Sequence, residues 1–504
     1  KNMALYLKSK KFDLGAGKDL FVLMHSEDAD DLGVKEGEIL LLGFKDVELY
    51  VKVIITDSEL MQGEVGLYEE LTEEYHIPEG RKILLDIPAP TKSLDALRKK
   101  ISGHRLNEEE LLSIMEDIGS RRLKETEVAF FVATFFSPGF DDDEITWMTK
   151  GMAQSGEILD FKYIKDNKGL VVDKHSIGGT AGKGITPTLV PILAAAGLVV
   201  PNTSTRAITS PAGTTDILES VMPVSLTKEQ VYEVVEKTGA CMIWGGSLYL
   251  APADDEIINV ERSLRIQEFQ KVLVSIVAKK IAMGSTFVLI DLPYGKGSKL
   301  EKPDDLEFLS REFEKLFHRF GIKCVTYKRI VKGPDGNGVG PLLEMKECLK
   351  VLERDEKRSE ELEDIVVEMA AIIFENNGKA QKGMGKKVAL ELLDSGKALK
   401  KFWDIAKAQG EKNVIKSSDI KLGSLTHEVK ATKSGEIKSI WTREIVEVAR
   451  SLGTPKIKEA GIYFNKMQGD KVVKGDTLMT LYATTKDRME DGIKAVDLEK
   501  FFEI

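Results

Sequence analysis

The sequence predicts a multidomain α/β protein: a small N-terminal β-barrel-like module, a helical lobe, a mixed, mostly parallel α/β lobe and a C-terminal β-rich cap. Three observations carry this. At 504 residues the chain is too long for one hydrophobic core. The apolar period changes from strand-like to helical near residue 90 and returns to short strands near residue 427. In between, short apolar runs alternate with amphipathic stretches, as strands joined by helical crossovers do.

Composition narrows the class. Hydrophobic residues make up 42% and charged residues 31%, the balance of an ordinary globular protein. A net charge of −10 argues against an extended nucleic-acid surface. No apolar run approaches the roughly 20 residues of a membrane helix, and the opening KNMALYLKSKKF has no secretory h-region. Cys241, Cys324 and Cys348 are odd in number and far apart, which predicts reduced thiols and a cytoplasmic setting. The histidines are scattered without metal-ligand spacing, so no metal is expected.

In chain order, residues 1–88 hold short apolar runs at 4–7, 21–24, 39–42 and 51–55, separated by glycine turns. Ile87-Pro88-Ala89-Pro90 is a stiff link. Residues 89–165 form the helical lobe, with 254–284 joining it. Asn107 caps a helix there, Asp141-Asp142-Asp143-Glu144 opens another at its positive end, and Phe130, Phe131, Phe135 and Phe136 are core candidates. Residues 166–253 and 285–426 make the α/β lobe, and 427–504 the cap. A loop at 250–255 and one long helix from Arg262 to Lys280 are expected between the two parts of that lobe.

The richest stretch is 171–219. An apolar strand at 169–172 leads into Lys174-His175-Ser176-Ile177-Gly178-Gly179-Thr180-Ala181-Gly182-Lys183-Gly184, and an apolar helix follows at 188–196. Glycines let backbone N–H groups converge, a helix start adds partial positive charge, and Lys174 and Lys183 add whole charges. A second strand at 198–200 leads to a polar loop, 202–210, offering Ser204, Thr205, Arg206, Thr209 and Ser210, with Thr214 beyond it. This combination predicts a phosphate clamp. Asp216 and Glu219 read as helix N-terminal carboxylates, and Asp254 and Asp255 as helix-end or capping residues.

A glycine loop alone is a weak signal. Its combination with Ser204-Thr205-Arg206-Ala207-Ile208 and Gly213-Thr214-Thr215-Asp216-Ile217-Leu218-Glu219 resembles the thymidine and pyrimidine-nucleoside phosphorylase family from about residue 93 onward. Thr205 and Pro211 depart from the nucleoside-cleaving form. The β-rich first 88 residues and Arg206-Ala207-Ile208-Thr209-Ser210-Pro211 are similar to the AMP phosphorylase branch. The resemblance implies a pentosyltransferase that cleaves nucleoside 5′-monophosphates with phosphate, giving free base and ribose 1,5-bisphosphate. It implies no cofactor, inorganic phosphate as co-substrate, and a homo-oligomer, dimer or larger.

Residue by residue, the resemblance implies phosphate on Lys174, Ser176, Gly178, Gly179, Ser204 and Thr214. It implies nucleotide against Gly179, Thr205, Arg206, Ala207, Ile208, Thr209, Ser210, Thr214, Ser275, Lys279 and Lys299. Ser275 and Lys279 match base contacts, and the accompanying arginine is Arg262 or Arg265. Lys296 and Lys299, in a glycine-rich turn, suit a substrate 5′-phosphate. Counting back from Ser275, the family's proton-donating Asp position holds Gln267, with Glu268 as the fallback donor. A Gln amide donates a hydrogen bond but no proton, which predicts a shift toward CMP or UMP or a slower turnover. Three alternatives stay open: a thymidine or uridine phosphorylase, a Mg²⁺-dependent phosphoribosyltransferase, and a nucleotide-binding protein without turnover.

Overall fold

A computed structural model describes residues 4–504, save 16, 18–19, 165–168, 179, 208–209, 265–267 and 296–297. Strands β1 (Leu5–Lys11), β2 (Phe21–His25), β3 (Ile39–Phe44), β4 (Val47–Thr56), β5 (Glu64–Leu67) and β6 (Lys82–Asp86) close a barrel in the order β1-β5-β2-β4-β3-β6. The period-two pattern explains it. Val22 and Met24, Leu40 and Leu42, Val51 and Val53, Val65 and Leu67, and Ile83 and Leu85 all point into one core. Closure leaves no free edge.

Helices α2 (Lys92–Ile101), α3 (Glu108–Gly119), α4 (Glu125–Ala133) and α5 (Asp142–Gln154) follow the short α1 (Ser26–Leu32). Asn107 and Asp141 cap α3 and α5 through capping boxes, as their sequence positions predict. Phe131 and Phe135 are buried, but Phe130 and Phe136 are more than half exposed, so only one member of each pair is core. Lys100 and Glu144 form a buried pair at 2.8 Å, and Glu144 also takes the Leu106 N–H.

Next come β7 (Val172–Ser176), α6 (Ile185–Ala195), β8 (Val200–Ser204), α7 (Thr214–Leu218), α8 (Lys228–Thr238) and β9 (Ala240–Trp244). Then follow α9 (Pro252–Leu264), α10 (Phe269–Ala282), β10 (Phe287–Tyr294), α11 (Pro303–Arg319), β11 (Lys323–Ile330) and α12 (Pro341–Glu353). Several expectations need correction. The strand lies at 172–176, so Lys174, His175 and Ser176 are strand residues rather than loop, because they pair with β10 through Ser176↔Asp291. Asn202–Ser204 likewise belong to β8, paired with β9. The long helix is two, α9 and α10, and α9 begins inside the expected loop, with Pro252 in its first turn.

The chain divides into two compact units, Lys1–Gly156 with Ala251–Ala278, and Glu157–Leu250 with Lys279–Ile504. In the first, α3 packs on α2, α5 and α9. In the second, β11, β10 and β7 are parallel neighbours, β8 and β9 are parallel, and a parallel Val171↔Val199 bridge joins them. Helix α6 is buried along nearly its whole length, which is why its run is apolar on every face. The cap is a four-stranded sheet of Gly338–Val339, Gly461–Phe464, Thr477–Ala483 and Leu425–Lys430. Among the described residues no helix is long and apolar enough to cross a membrane.

Candidate active site

Parallel strands deliver their following loops to one edge, and ligands of open α/β sheets bind outside those carboxyl ends. Here β7 ends at Ser176, β8 at Ser204 and β10 at Tyr294, and a glycine-rich or polar loop follows each.

Beneath the edge lies a buried charge scaffold. Asp173, on β7, accepts from Lys280 Nζ at 2.6 Å and Asn202 Nδ2 at 2.7 Å. Asp291, on β10, pairs with Arg329 of β11 at 2.8 Å, and Arg329 also holds Asp335 at 2.7 Å. Asp335 accepts from Thr180 Oγ1, and its backbone N–H donates to the Ala181 carbonyl, so the scaffold grips the glycine loop. The fit leaves no room at Gly182: its φ is +85°, and an added Cβ would lie 2.9 Å from Asp335 N. Glu344 of α12 accepts from the Lys183 and Gly340 N–H groups, closing the far end of the loop.

Two cations beside the scaffold stand outside its ion pairs. Lys280 and Arg329 are answered by Asp173, Asp291 and Asp335. Among the described residues, Lys174 and Lys183 make no ion pair within 4.0 Å. Burial, partly offset by Asp291, pushes the Lys174 ammonium down to about 8. Burial also lowers Lys183, against the pull of Asp335 and Glu344. His175 is driven well below its ordinary value by burial and by Lys280, Lys174, Lys279 and Lys299, so its ring is neutral. Burial lifts Glu344 to about 7, against the N–H groups it accepts. A β-carbon built on Gly178, whose φ is +80°, would lie 3.8 Å from both Lys183 Nζ and Lys299 Nζ. Lys183 and Lys299 thus bring two ammonium groups to Gly178, whose N–H donates to Ser176 Oγ at 3.2 Å, and this part of the loop favours an anion.

The Ser204 loop is built by internal bonds. Ser204 Oγ meets Thr215 Oγ1 at 2.8 Å. Asp216 Oδ2 accepts the N–H groups of Ala207 and Gly213, each at 2.8 Å, so it folds the loop as well as capping α7. A Cβ at Gly213 would lie 2.5 Å from the Thr205 carbonyl, which makes that glycine obligatory. The Arg206 guanidinium is bidentate to Glu219 at 2.7 and 2.6 Å and lies over Trp244. Two of its five N–H donors are thereby engaged inside the protein. Thr205 is exposed, Thr214 half-buried, and Ser210 Oγ donates to the Ala212 carbonyl.

Of the residues expected to meet the base, Ser275 and Lys279 lie one turn apart on α10, both half-buried. Asp254 stands in the first turn of α9, at a helix end as expected, and its fully buried side chain accepts from Ser275 Oγ at 2.6 Å. Glu268 caps α10, accepting the Lys271 N–H at 3.1 Å, and burial raises its carboxyl. Arg262 is exposed on α9. Gly179, Ile208, Thr209, Arg265, Gln267 and Lys296 lie outside the described residues.

Sequence reasoning missed Asp173, Lys280, Asp291, Arg329, Asp335 and Glu344. The available signal was a lone charge in an apolar strand, as in Leu289-Ile290-Asp291-Leu292 and Val171-Val172-Asp173, since an unpartnered charge is not buried there.

Comparison with known proteins adds to this geometry. Residues 94–156 match the glycosyl transferase family helical bundle domain, 168–296 the a/b domain of the same family, and 436–499 the pyrimidine nucleoside phosphorylase C-terminal domain. The chain is 38% identical to the AMP phosphorylase of Thermococcus sibiricus, covering 96% of this chain and 95% of the relative. It is 36% identical to AMP phosphorylase 1 of Archaeoglobus fulgidus, over 95% and 94% of the two chains. A solved anthranilate phosphoribosyltransferase from Thermus thermophilus shares the fold over 62% of this chain and 99% of that one, at 20% identity and a TM-score of 0.51.

Proposed function

The chain belongs to the AMP phosphorylase family, and we infer from that premise that it is a pentosyltransferase splitting nucleoside 5′-monophosphates with inorganic phosphate. The observation that supports this best is the pair of ammonium groups of Lys174, on β7, and Lys183, in the glycine loop, neither of which makes an ion pair within 4.0 Å among the described residues. In the reaction a phosphate oxygen bonds to C1′ of the ribose as the C1′–N bond to the base breaks. The electron pair of that bond leaves with the base, and the proton of the phosphate monoanion or dianion ends on the base nitrogen. The products are free base and ribose 1,5-bisphosphate.

In this reading Lys174, Lys183, Ser176 and the loop amides hold the nucleophile. Buried cations stabilise an anion more than they do in water, and fixed positions remove the entropic cost of bringing two anions together. Lys299 serves the substrate's 5′-phosphate, Ser204 and Thr214 orient oxygens, and Ser275 and Lys279 meet the base. Arg206 acts by shaping its loop, because its guanidinium is committed to Glu219. Gln267 polarises the leaving base without giving it a proton. The three free cysteines accord with a cytoplasmic setting, and a homo-oligomer is proposed with it.

Base release from AMP, CMP, UMP, adenosine and uridine, with and without phosphate, tests this. Phosphate-dependent release from the monophosphates alone is expected. Release from nucleosides at equal efficiency contradicts the role of the 5′-phosphate, and a Gln267→Asp variant that gains nothing on AMP contradicts the role of Gln267.

A further inference from the structure

Helix α10 is tied to α9 by a buried cluster of which the reaction described above uses only Ser275. Ser275 Oγ donates to Asp254 Oδ2 at 2.6 Å, and Asp254 Oδ1 pairs with Lys271 Nζ at 3.2 Å. Lys271 Nζ also meets Glu261 Oε2 at 2.7 Å. The Asp254 side chain is fully buried and that of Lys271 is 5% exposed, whereas Ser275 is only half-buried. Lys271 and Ser275 are four residues apart on one helix, hence on the same face.

A serine hydroxyl carries one proton and two lone pairs. Toward a carboxylate it can only donate, and the neighbouring ammonium favours the charged carboxylate over the neutral acid. With its proton held by Asp254, the Ser275 oxygen has only lone pairs to offer any other partner. We propose that Ser275 reads the base as a hydrogen-bond acceptor, and that Lys271, acting through Asp254, is the positioning residue that fixes this polarity. The site then selects nucleotides whose base turns an N–H donor toward Ser275, such as the amino group of adenine or cytosine or the ring N–H of uracil. A base with no donor at that edge leaves the lone pairs unanswered. This rests on the assignment of Ser275 to the base under the proposed function.

The test pairs AMP with purine riboside 5′-monophosphate, which differs by the 6-amino group. The ratio of kcat/KM for the two, and the ratio of their Kd values by calorimetry, are compared between the unaltered chain and its variants. Intrinsic leaving-group differences cancel across variants. Ser275→Ala is expected to lower the AMP preference about tenfold, the loss of one hydrogen bond. Lys271→Met should lower it as far, the double variant no further, and Lys271→Arg should retain it. Should Lys271→Met not fold, Ser275→Ala and Lys271→Arg still decide. An unchanged ratio in Ser275→Ala overturns the proposal, as does an unchanged ratio in folded Lys271→Met. If the unaltered chain turns over neither nucleotide, the phosphorylase reading fails instead, and the Kd ratios still judge the hydrogen-bond polarity.

Discussion

The molecule carries two buried charge clusters of opposite balance. At the β7 and β10 ends, the carboxylates Asp173, Asp291, Asp335 and Glu344 stand among one more cation, Lys174, Lys183, Lys280, Lys299 and Arg329, and among the described residues Lys174 and Lys183 make no ion pair within 4.0 Å. Between α9 and α10, one cation, Lys271, faces two carboxylates, Asp254 and Glu261. The surplus in each indicates what it is built to meet. A cationic surplus in a glycine loop suits an anion, while a carboxylate that holds a hydroxyl proton suits a neutral ligand read by hydrogen bonds. Burial makes both possible, because screening by water would erase either preference.

The sharpest way to break the first cluster is to remove an answering charge. Asp173→Ala leaves Lys280 buried and unpaired and is expected to cost about 3–5 kcal/mol, read by chemical denaturation. Gly213→Ala forces the Thr205 carbonyl away from a Cβ that would otherwise lie 2.5 Å from it. About 1–3 kcal/mol of stability should go, with a rise in KM for both substrates. Lys174→Met removes surplus rather than support, so the fold should hold while KM for phosphate climbs about 10–100-fold, the worth of a charge-assisted hydrogen bond.

Titration sharpens the same point more gently. The Lys174 ammonium is lowered to about 8, so its charge is present below that pH and lost above it. KM for phosphate should therefore rise as pH climbs through about 8, and Lys174→Arg should abolish that limb. The smallest effect belongs to the surface: Lys92 and Glu109 form an exposed pair at 3.1 Å, and Lys92→Ala should change stability by less than about 0.5 kcal/mol.

Much of this was legible in the sequence. The period-two runs of the barrel, the caps at Asn107 and Asp141, and the glycine loop all depend on neighbours within a few residues. The charge scaffold was not legible for the opposite reason. Lys280 meets Asp173 across 107 residues, and Arg329 meets Asp291 across 38. Such pairs leave no local period, only an isolated charge in an apolar run. Arg206 has a partner that its motif did not show, since Glu219 takes two of its guanidinium N–H donors. Asp254 lies at a helix end as expected, but its ties to Ser275 and Lys271 were not legible because those partners lie on the next helix.

The most direct test of the central claim is the fate of the ribose when AMP and phosphate are incubated with the protein, followed by ³¹P NMR and base quantification. Adenine and ribose 1,5-bisphosphate are expected in equal amounts, with no product when phosphate is omitted. Ribose 5-phosphate appearing without a phosphate requirement would mean that water attacks C1′, and that the lysine surplus does not hold the nucleophile.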